Sequence, residues 1–323
     1  MRPFTFAQAT AVDEAVAGAG AGSAYLAGGT TLVDLMKLEV LTPGRVVDIN
    51  RLPLRGVQLD RSVLRIGALE RMATVATDRR VVGEFPAVAQ ALLASASPQI
   101  RTMASIGGNL LQRTRCGYFR DTATPCNRRE PGTGCPAIEG ENRTHAVLGT
   151  SEHCVATHPS DLAVALVAFD ATVEVTGPDG ARSVPLADLY RLPGATPQVE
   201  TELRPGELIT GVTLPRVAAA RRSAYLKVRD RRSYEFALAS AAVGVHLRGG
   251  VVQQVRVAVG GVATKPWRLP AVERALIGRP LREDVVTAAA AHATDGARPL
   301  AHNRFKVALV RRTVVRALLS LGE

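Results

Sequence analysis

Leu26-Ala27-Gly28-Gly29-Thr30-Thr31-Leu32 is the stretch on which the fold turns. Before it, Ala24-Tyr25-Leu26 has the composition of a short strand ending at Gly28-Gly29. After it, Leu32 to Leu38 reads as a helical patch. A strand that runs through two adjacent glycines into a helix N-terminus lets backbone N–H groups turn toward a pyrophosphate, and the two threonine hydroxyls add donors. Ser105-Ile106-Gly107-Gly108-Asn109 reads as a second loop of the same build. Either loop alone is equally consistent with a tight turn. Two of them in one domain favour a dinucleotide with two phosphates. Neither is a Walker loop, because no Gly-Lys-Ser/Thr follows, and Gly18-Ala19-Gly20-Ala21-Gly22-Ser23 fails as a Rossmann fingerprint. There Ser23 stands where the third glycine belongs, and a helix precedes the run where a strand is required.

Outward from this loop the chain alternates short elements. Residues 5 to 22 read as helical, with Ala/Val periodicity up to the Gly18-Gly20-Gly22 breaker. Arg45 to Ile49 and Val63 to Ile66 read as strands, and Pro86 to Ala96 as a small-residue helix. From Arg113 to His153 hydrophobic periodicity lapses into Arg, Cys, Gly, Pro and Asn, an irregular insert that needs an added constraint such as a bound metal. Regular structure resumes with Leu162 to Phe169 as helix, Thr172 to Val175 as strand, Leu186 to Tyr190 as a short helix and Leu208 to Leu214 as strand. Residues 216–223 read as a basic linker. Beyond it Tyr225 to Val228, Ala241 to Leu247 and Val251 to Val259 alternate as strands, with Gly249-Gly250 as a hairpin turn, and helices follow at 270–277, 283–293 and 302–321.

A length of 323 residues implies two domains, placed at 1–218 and 219–323 with the insert at about 113–155. Hydrophobic residues make up 46% and charged ones 21%, the balance of a soluble globular protein. No apolar run approaches the roughly 20 residues that span a bilayer, so membrane insertion is not expected. The N-terminus lacks a signal-peptide layout, which implies no export signal of its own. That leaves the cytoplasm, or the periplasm by co-export with a signal-bearing partner. The net charge of +11 raises nucleic acid as a partner, but the basic residues are scattered and aromatics are only 4%. That pattern speaks against nucleic acid and for an anionic cofactor or an acidic partner subunit.

All four cysteines, Cys116, Cys126, Cys135 and Cys154, lie in the insert, separated by nine, eight and eighteen residues. Four thiolates hold a zinc ion or an iron–sulfur cluster, or pair as two disulfides. The wide spacing lacks the short Cys-x-x-Cys chelate usual for zinc, and the missing export signal disfavours disulfides, yet spacing alone leaves all three open. His145, His153 and His158 are nearby alternative ligands.

Ala27-Gly28-Gly29-Thr30, Ala104-Ser105-Ile106-Gly107-Gly108-Asn109-Leu110 and Pro159-Ser160-Asp161 resemble the FAD-binding subunit of molybdenum hydroxylases, the xanthine dehydrogenase family. Leu110 to Cys116, Pro125 to Cys135 and Cys154 to Asp161 are similar to the FAD subunit of bacterial periplasmic-type aldehyde oxidoreductases. The resemblance implies an α+β fold: a vanillyl-alcohol-oxidase/PCMH-type FAD-binding domain of two subdomains, then a small α+β C-terminal domain of the CO dehydrogenase flavoprotein type. By it, Leu26, Ala27, Gly28, Gly29, Thr30, Thr31, Leu32, Val33 and Asp34 would wrap the pyrophosphate, and Ser105, Ile106, Gly107, Gly108 and Asn109 would form the second loop. Asp161 and Lys227 would contact FAD, and Cys116, Cys126, Cys135 and Cys154 would carry a 4Fe–4S cluster.

The same resemblance implies an electron-relay subunit of a heterotrimer. A large subunit would carry the molybdenum cofactor and a small one 2Fe–2S clusters, with electrons leaving through FAD to an external acceptor. The sequence agrees in offering no catalytic triad or paired carboxylates, so no catalytic residue is assigned. Glu235, a conceivable base near Lys227, reads more simply as a surface ion-pair partner. Lys227 itself reads as a cation beside the flavin ring. The rival readings are a molybdenum hydroxylase for purine or acyl-CoA substrates, a stand-alone flavin oxidoreductase of the same fold, and a non-catalytic zinc-stabilised module.

Overall fold

A computed structural model describes residues 1–322. Three sheets divide the chain. Strands β1 (Thr5–Gln8), β2 (Ser23–Leu26) and β3 (Arg45–Asp48) form a small parallel sheet in the order β1-β3-β2. Strands β4 (Val57–Leu59), β5 (Val63–Gly67), β6 (Thr172–Gly177), β7 (Gly180–Pro185) and β8 (Leu208–Pro215) form an antiparallel sheet in the order β4-β5-β8-β6-β7. Strands β9 (Ser223–Val228), β10 (Ala239–Arg248), β11 (Val251–Gly260) and β12 (Trp267–Arg268) form the third sheet, antiparallel in the order β12-β11-β10-β9.

The first segment departs from the helical expectation for 5–22. Thr5–Gln8 is a strand in register with Arg45–Asp48, and only Val12–Gly18 is helix. Pairing with β3 decides the matter: Thr5 N–H reaches the Gly44 carbonyl and Ala9 N–H the Asp48 carbonyl, both at 2.9 Å. A long-range ladder outweighs a local Ala/Val pattern that is worth only tenths of a kcal/mol per residue. The helices Met72–Thr77, Arg79–Glu84 and Pro98–Met103 and the strands β4 and β7 also lie where no element was expected. The strand at Arg45, the glycine hairpin at 249–250 and the helix over Phe305–Leu319 agree with expectation.

The helix Asp161–Ala168 is buried along its whole length, between the helix Pro86–Ala94 and the third sheet. That sheet is two-faced because its side chains alternate. Val243, Val245, Val255, Val257 and Val259 point into a C-terminal core closed by the helices Pro270–Leu276, Glu283–Ala290 and Phe305–Leu319, whereas Ala242 and Ala258 join the core of the N-terminal part. Gly244 lies on this second face, and a Cβ there would strike the Ala219 carbonyl and sit 2.8 Å from Phe169. Small residues thus let the C-terminal sheet lie directly on the N-terminal part. Its strand β9 is thereby held beside Asp161.

Candidate functional site: two joined cavities and a cysteine chamber

Between β2 and the helix Leu32–Lys37 the backbone makes the turn expected of it, with Gly29 at φ +71°. Gly28 packs so closely on the Met103 carbonyl that no Cβ fits. Thr31 is the N-cap but its hydroxyl caps nothing, and the N–H groups of Thr30, Thr31 and Leu32 find no backbone acceptor in the turn. Unsatisfied donors at a helix N-terminus suit an anion.

The second loop is built differently from the first. It follows the helix Pro98–Met103, not a strand, and opens the short helix Ile106–Leu110 with Ser105 as N-cap. Its N–H groups are already taken: Ile106 donates to the Glu70 carbonyl, Gly107 to the Ala68 carbonyl, and Gly108 to Ser105 Oγ. It shapes a wall and offers no backbone donors at these three positions.

Two cavities meet at this place. One, of about 210 Å³, is lined by Ala27, Gly28, Gly29, Thr30, Thr31, Leu32, Ser105, Gly107 and Gly108 and capped by apolar Tyr25, Leu41, Ile49, Leu69 and Ile209. The other, of about 460 Å³, is lined by Thr30, Thr31, Asp34, Gly108, Asn109, Asp161 and Lys227. Thr30, Thr31 and Gly108 border both. An apolar slot and a larger polar chamber, joined at free N–H and hydroxyl donors, match a dinucleotide with a ring system at each end. Leu26, Val33 and Ile106 stand outside both walls: Ile106 is fully buried in the core, and Val33 packs on Gly29.

Asp161 and Lys227 form one buried unit. Lys227 Nζ lies 2.7 Å from Asp161 Oδ2, with side-chain exposures of 4% and 5%. Asp161 also accepts from Tyr225 Oη at 2.5 Å and Ser95 Oγ at 3.1 Å, and Lys227 donates to the Ala94 carbonyl at 3.2 Å. The lysine expected as a cation beside the flavin is thus paired with a carboxylate. Burial and the Asp161 charge push the Tyr225 hydroxyl well above its usual pKa, so it stays a donor. Glu235 pairs loosely with Arg231 at 3.5 Å, the surface ion pair anticipated for it, although it also borders the larger cavity.

Asp34 does something the sequence did not disclose. It binds Arg120 at 2.8 Å and Arg115 at 3.0 Å, both from the insert, and the Arg120 hydrogen bond heads the causes that hold its carboxyl below the usual range. Arg115 lies over the Phe236 ring at 5.3 Å. These residues roof the larger cavity. Nothing local signals them, since 81 and 86 positions separate the partners.

Cys116, Cys126, Cys135 and Cys154 are all free and border a single small chamber. Burial pushes the Cys116 thiol up to about 11, with Cys126 and Cys154 adding to it, and burial likewise raises Cys135. Among the described residues no group of three or more His, Cys, Asp or Glu is arranged to hold a metal ion, so the structure lends no support of its own to the 4Fe–4S cluster expected on these cysteines. His145 Nε2 lies 3.2 Å from Cys116 Sγ and burial lowers its pKa to about 4. His158 is lowered to about 3 by burial and then Arg128, and packs on Tyr190 at 4.5 Å, while His153 is exposed.

Both halves of the chain grip the insert. Arg115 and Arg120 tie it to the helix at Asp34, and the C-terminal part holds its far end. Lys306, wholly buried, donates to the carbonyls of Thr144 (2.7 Å), His145 (3.0 Å) and Gly261 (2.7 Å), and Asn303 Nδ2 to those of His145 and Ala146.

A three-sheet flavoprotein architecture with a dinucleotide cleft narrows the class, and comparison with known proteins names it. Residues 1–217 match the family described as FAD binding domain in molybdopterin dehydrogenase, and residues 224–321 match the CO dehydrogenase flavoprotein C-terminal domain. The chain belongs to the family of FAD-binding medium subunits of molybdenum hydroxylases, whose members are oxidoreductase subunits. It is 47% identical to the aldehyde oxidoreductase FAD-binding subunit PaoB of Escherichia coli (strain K12), covering 98% of each chain. It is 28% identical to the carbon monoxide dehydrogenase medium chain of Afipia carboxidovorans, over 98% of this chain and 95% of that one. A solved carbon monoxide dehydrogenase from Hydrogenophaga pseudoflava superposes with a TM-score of 0.76 at 27% identity, covering 99% of this chain and 97% of that one. Among the described residues no helix is long and apolar enough to cross a membrane.

Proposed function

We propose that this chain is the FAD- and 4Fe–4S-containing electron-transfer subunit of a heterotrimeric molybdenum hydroxylase that oxidises aldehydes. A large subunit carries the molybdenum cofactor and a small one the 2Fe–2S clusters. The observation that carries the reading is the juxtaposition of the two sites in sequence: Arg115 lines the larger cavity and Cys116, next to it, lines the cysteine chamber. The aldehyde assignment is supported by the 47% identity to PaoB.

FAD, when bound, takes up electron pairs and releases electrons singly, and a cluster on four thiolates carries one electron at a time. Thr30, Thr31 and Leu32 present N–H donors to the pyrophosphate, and Ala27, Gly28 and Gly29 let the backbone approach it. Ser105, Gly107 and Gly108 wall the junction, with Ile106 anchoring that wall in the core. Leu26 and Val33 set the strand and helix that flank the first loop. Asp34 fixes Arg115 and Arg120 over the chamber lined by Asn109, Asp161 and Lys227, the residues that would hold the flavin end of FAD. Lys227 keeps a donor beside the ring while Asp161 balances its charge. Cys116, Cys126, Cys135 and Cys154 hold the cluster. No residue here acts on the organic substrate, and the external acceptor takes electrons at this subunit. Compartment follows the partner subunits.

The test is cofactor content and aldehyde-driven reduction of the purified native complex. One FAD, four additional irons on this subunit and flavin bleaching by aldehyde only when the partner subunits are present are expected. Turnover of this chain alone would replace the reading with a self-contained flavin oxidoreductase.

A further inference from the structure

Two arginines of the insert, Arg113 and Arg128, meet Glu200 in a charged triad that the relay reading leaves unused. Arg128 is nearly enclosed, 8% exposed, with Nη2 3.5 Å from Cys154 Sγ and Nη1 2.8 Å from Glu200. Glu200 comes from the long connection between Tyr190 and β8, and it also binds Arg113, whose guanidinium lies over Phe119 at 5.0 Å. Two guanidinium groups against one carboxylate leave a net positive charge beside the chamber. Nearby groups do not cancel it. Arg129 adds a cation whose donors go to the carbonyls of Tyr118, Phe119 and Thr124, and the carboxylate of Asp34 is shared by Arg115 and Arg120. In so dry a setting a charge at this distance is only weakly screened.

We propose that Arg128, aimed by Glu200, sets the reduction potential of the cluster held by the four cysteines, with Glu200 as a positioning residue that meters its charge. This rests on the reading of those cysteines as cluster ligands. One-electron reduction adds a negative charge to the cluster and its thiolates. The Arg128 cation stabilises the reduced form more than the oxidised one and so raises the potential. Glu200 works in two ways: its tether keeps the guanidinium on Cys154, and its negative charge moderates the effect. A residue serving only to staple the insert to the 191–203 connection would change iron occupancy and thermal stability without moving the potential of the clusters that remain.

The experiment is a dithionite titration of the purified complex, followed by EPR of the cluster signal, for wild type, Arg128→Met, Arg128→Lys and Glu200→Gln, with the flavin midpoint as internal control. Arg128→Met is expected to disfavour one-electron reduction at least tenfold, a downward shift of about 59 mV. Glu200→Gln is expected to shift the midpoint upward, and Arg128→Lys to retain most of the wild-type value. If Arg128→Met assembles no cluster, the upward shift in Glu200→Gln decides the question by itself. Midpoints that stay at the wild-type value, or that move in the same direction in Arg128→Met and Glu200→Gln, overturn the proposal while leaving the cluster reading standing. A wild-type complex with no such iron signal on this subunit removes both.

Discussion

Replacing Lys227 by methionine would leave Asp161 as a buried carboxylate without its cation. The pair is almost fully enclosed, so solvent screening offers little relief, and breaking such a pair from one side costs about 3–5 kcal/mol. For a domain of roughly 200 residues each kcal/mol lowers the melting temperature by about 2–4 °C, which puts the expected loss at about 6–20 °C. Adding Asp161→Asn should return more than half of that loss. The amide carries no charge, and its oxygen still accepts from Tyr225 Oη, which lies 2.5 Å from the carboxylate. The assay is a double-mutant cycle by differential scanning calorimetry of the flavin-free protein, with the flavin midpoint measured on the reconstituted complex. In that second readout Lys227→Met alone lowers the flavin potential, because the ring would then face a bare carboxylate, and the double variant moves back toward wild type. Losses that simply add in the double variant would refute the coupling.

Gly28→Ala should lower flavin occupancy at least tenfold with the far-UV spectrum unchanged, since a Cβ there collides with the Met103 carbonyl and pushes the loop off its course; full FAD content in that variant would contradict the role of the first loop. Cys126→Ser should abolish the cluster EPR signal and reduce iron by about four per chain while FAD stays bound, as read by metal analysis of the complex. Asp34→Asn should loosen the insert by about 1 kcal/mol, discounted because the carboxylate is partly exposed, and speed its cleavage by trypsin. Because the Arg120 hydrogen bond and charge lower the Asp34 pKa in the folded state, this contribution is present above the unfolded value near 4. It fades as pH falls through the lowered folded value, so wild type and Asp34→Asn should converge in stability at pH below it.

The features legible in the sequence were those whose physics is local. The strand–Gly-Gly–helix turn at 26–32 announces itself because glycines and threonines interrupt apolar runs, and the insert because its hydrophobic periodicity stops. Thr5–Gln8 was misjudged because its strand state depends on Arg45–Asp48, 40 positions away. The second glycine loop looked like the first, but only the fold reveals that Glu70 and Ala68 had already taken its N–H groups. Asp161 and Lys227 were placed by family resemblance, and their mutual neutralisation, 66 positions apart, was not visible. The grips of Asp34 on Arg115 and Arg120, and of Glu200 on Arg128, join residues from different elements and leave no trace in spacing.

The clamp formed by Asn303 and Lys306 gives the chain a clock. Cys154 is the last cysteine synthesised, and Lys306 follows 152 positions later (306 − 154). The carbonyls of Thr144, His145 and Ala146 take their buried side-chain donors from Asn303 and Lys306, so this stretch of the insert is held only once the C-terminal residues are in place. Docking of the helix Phe305–Leu319 brings Lys306 to the carbonyls of Thr144 and His145. The order of synthesis therefore places all four cysteines well before the residues that fix the far end of the insert.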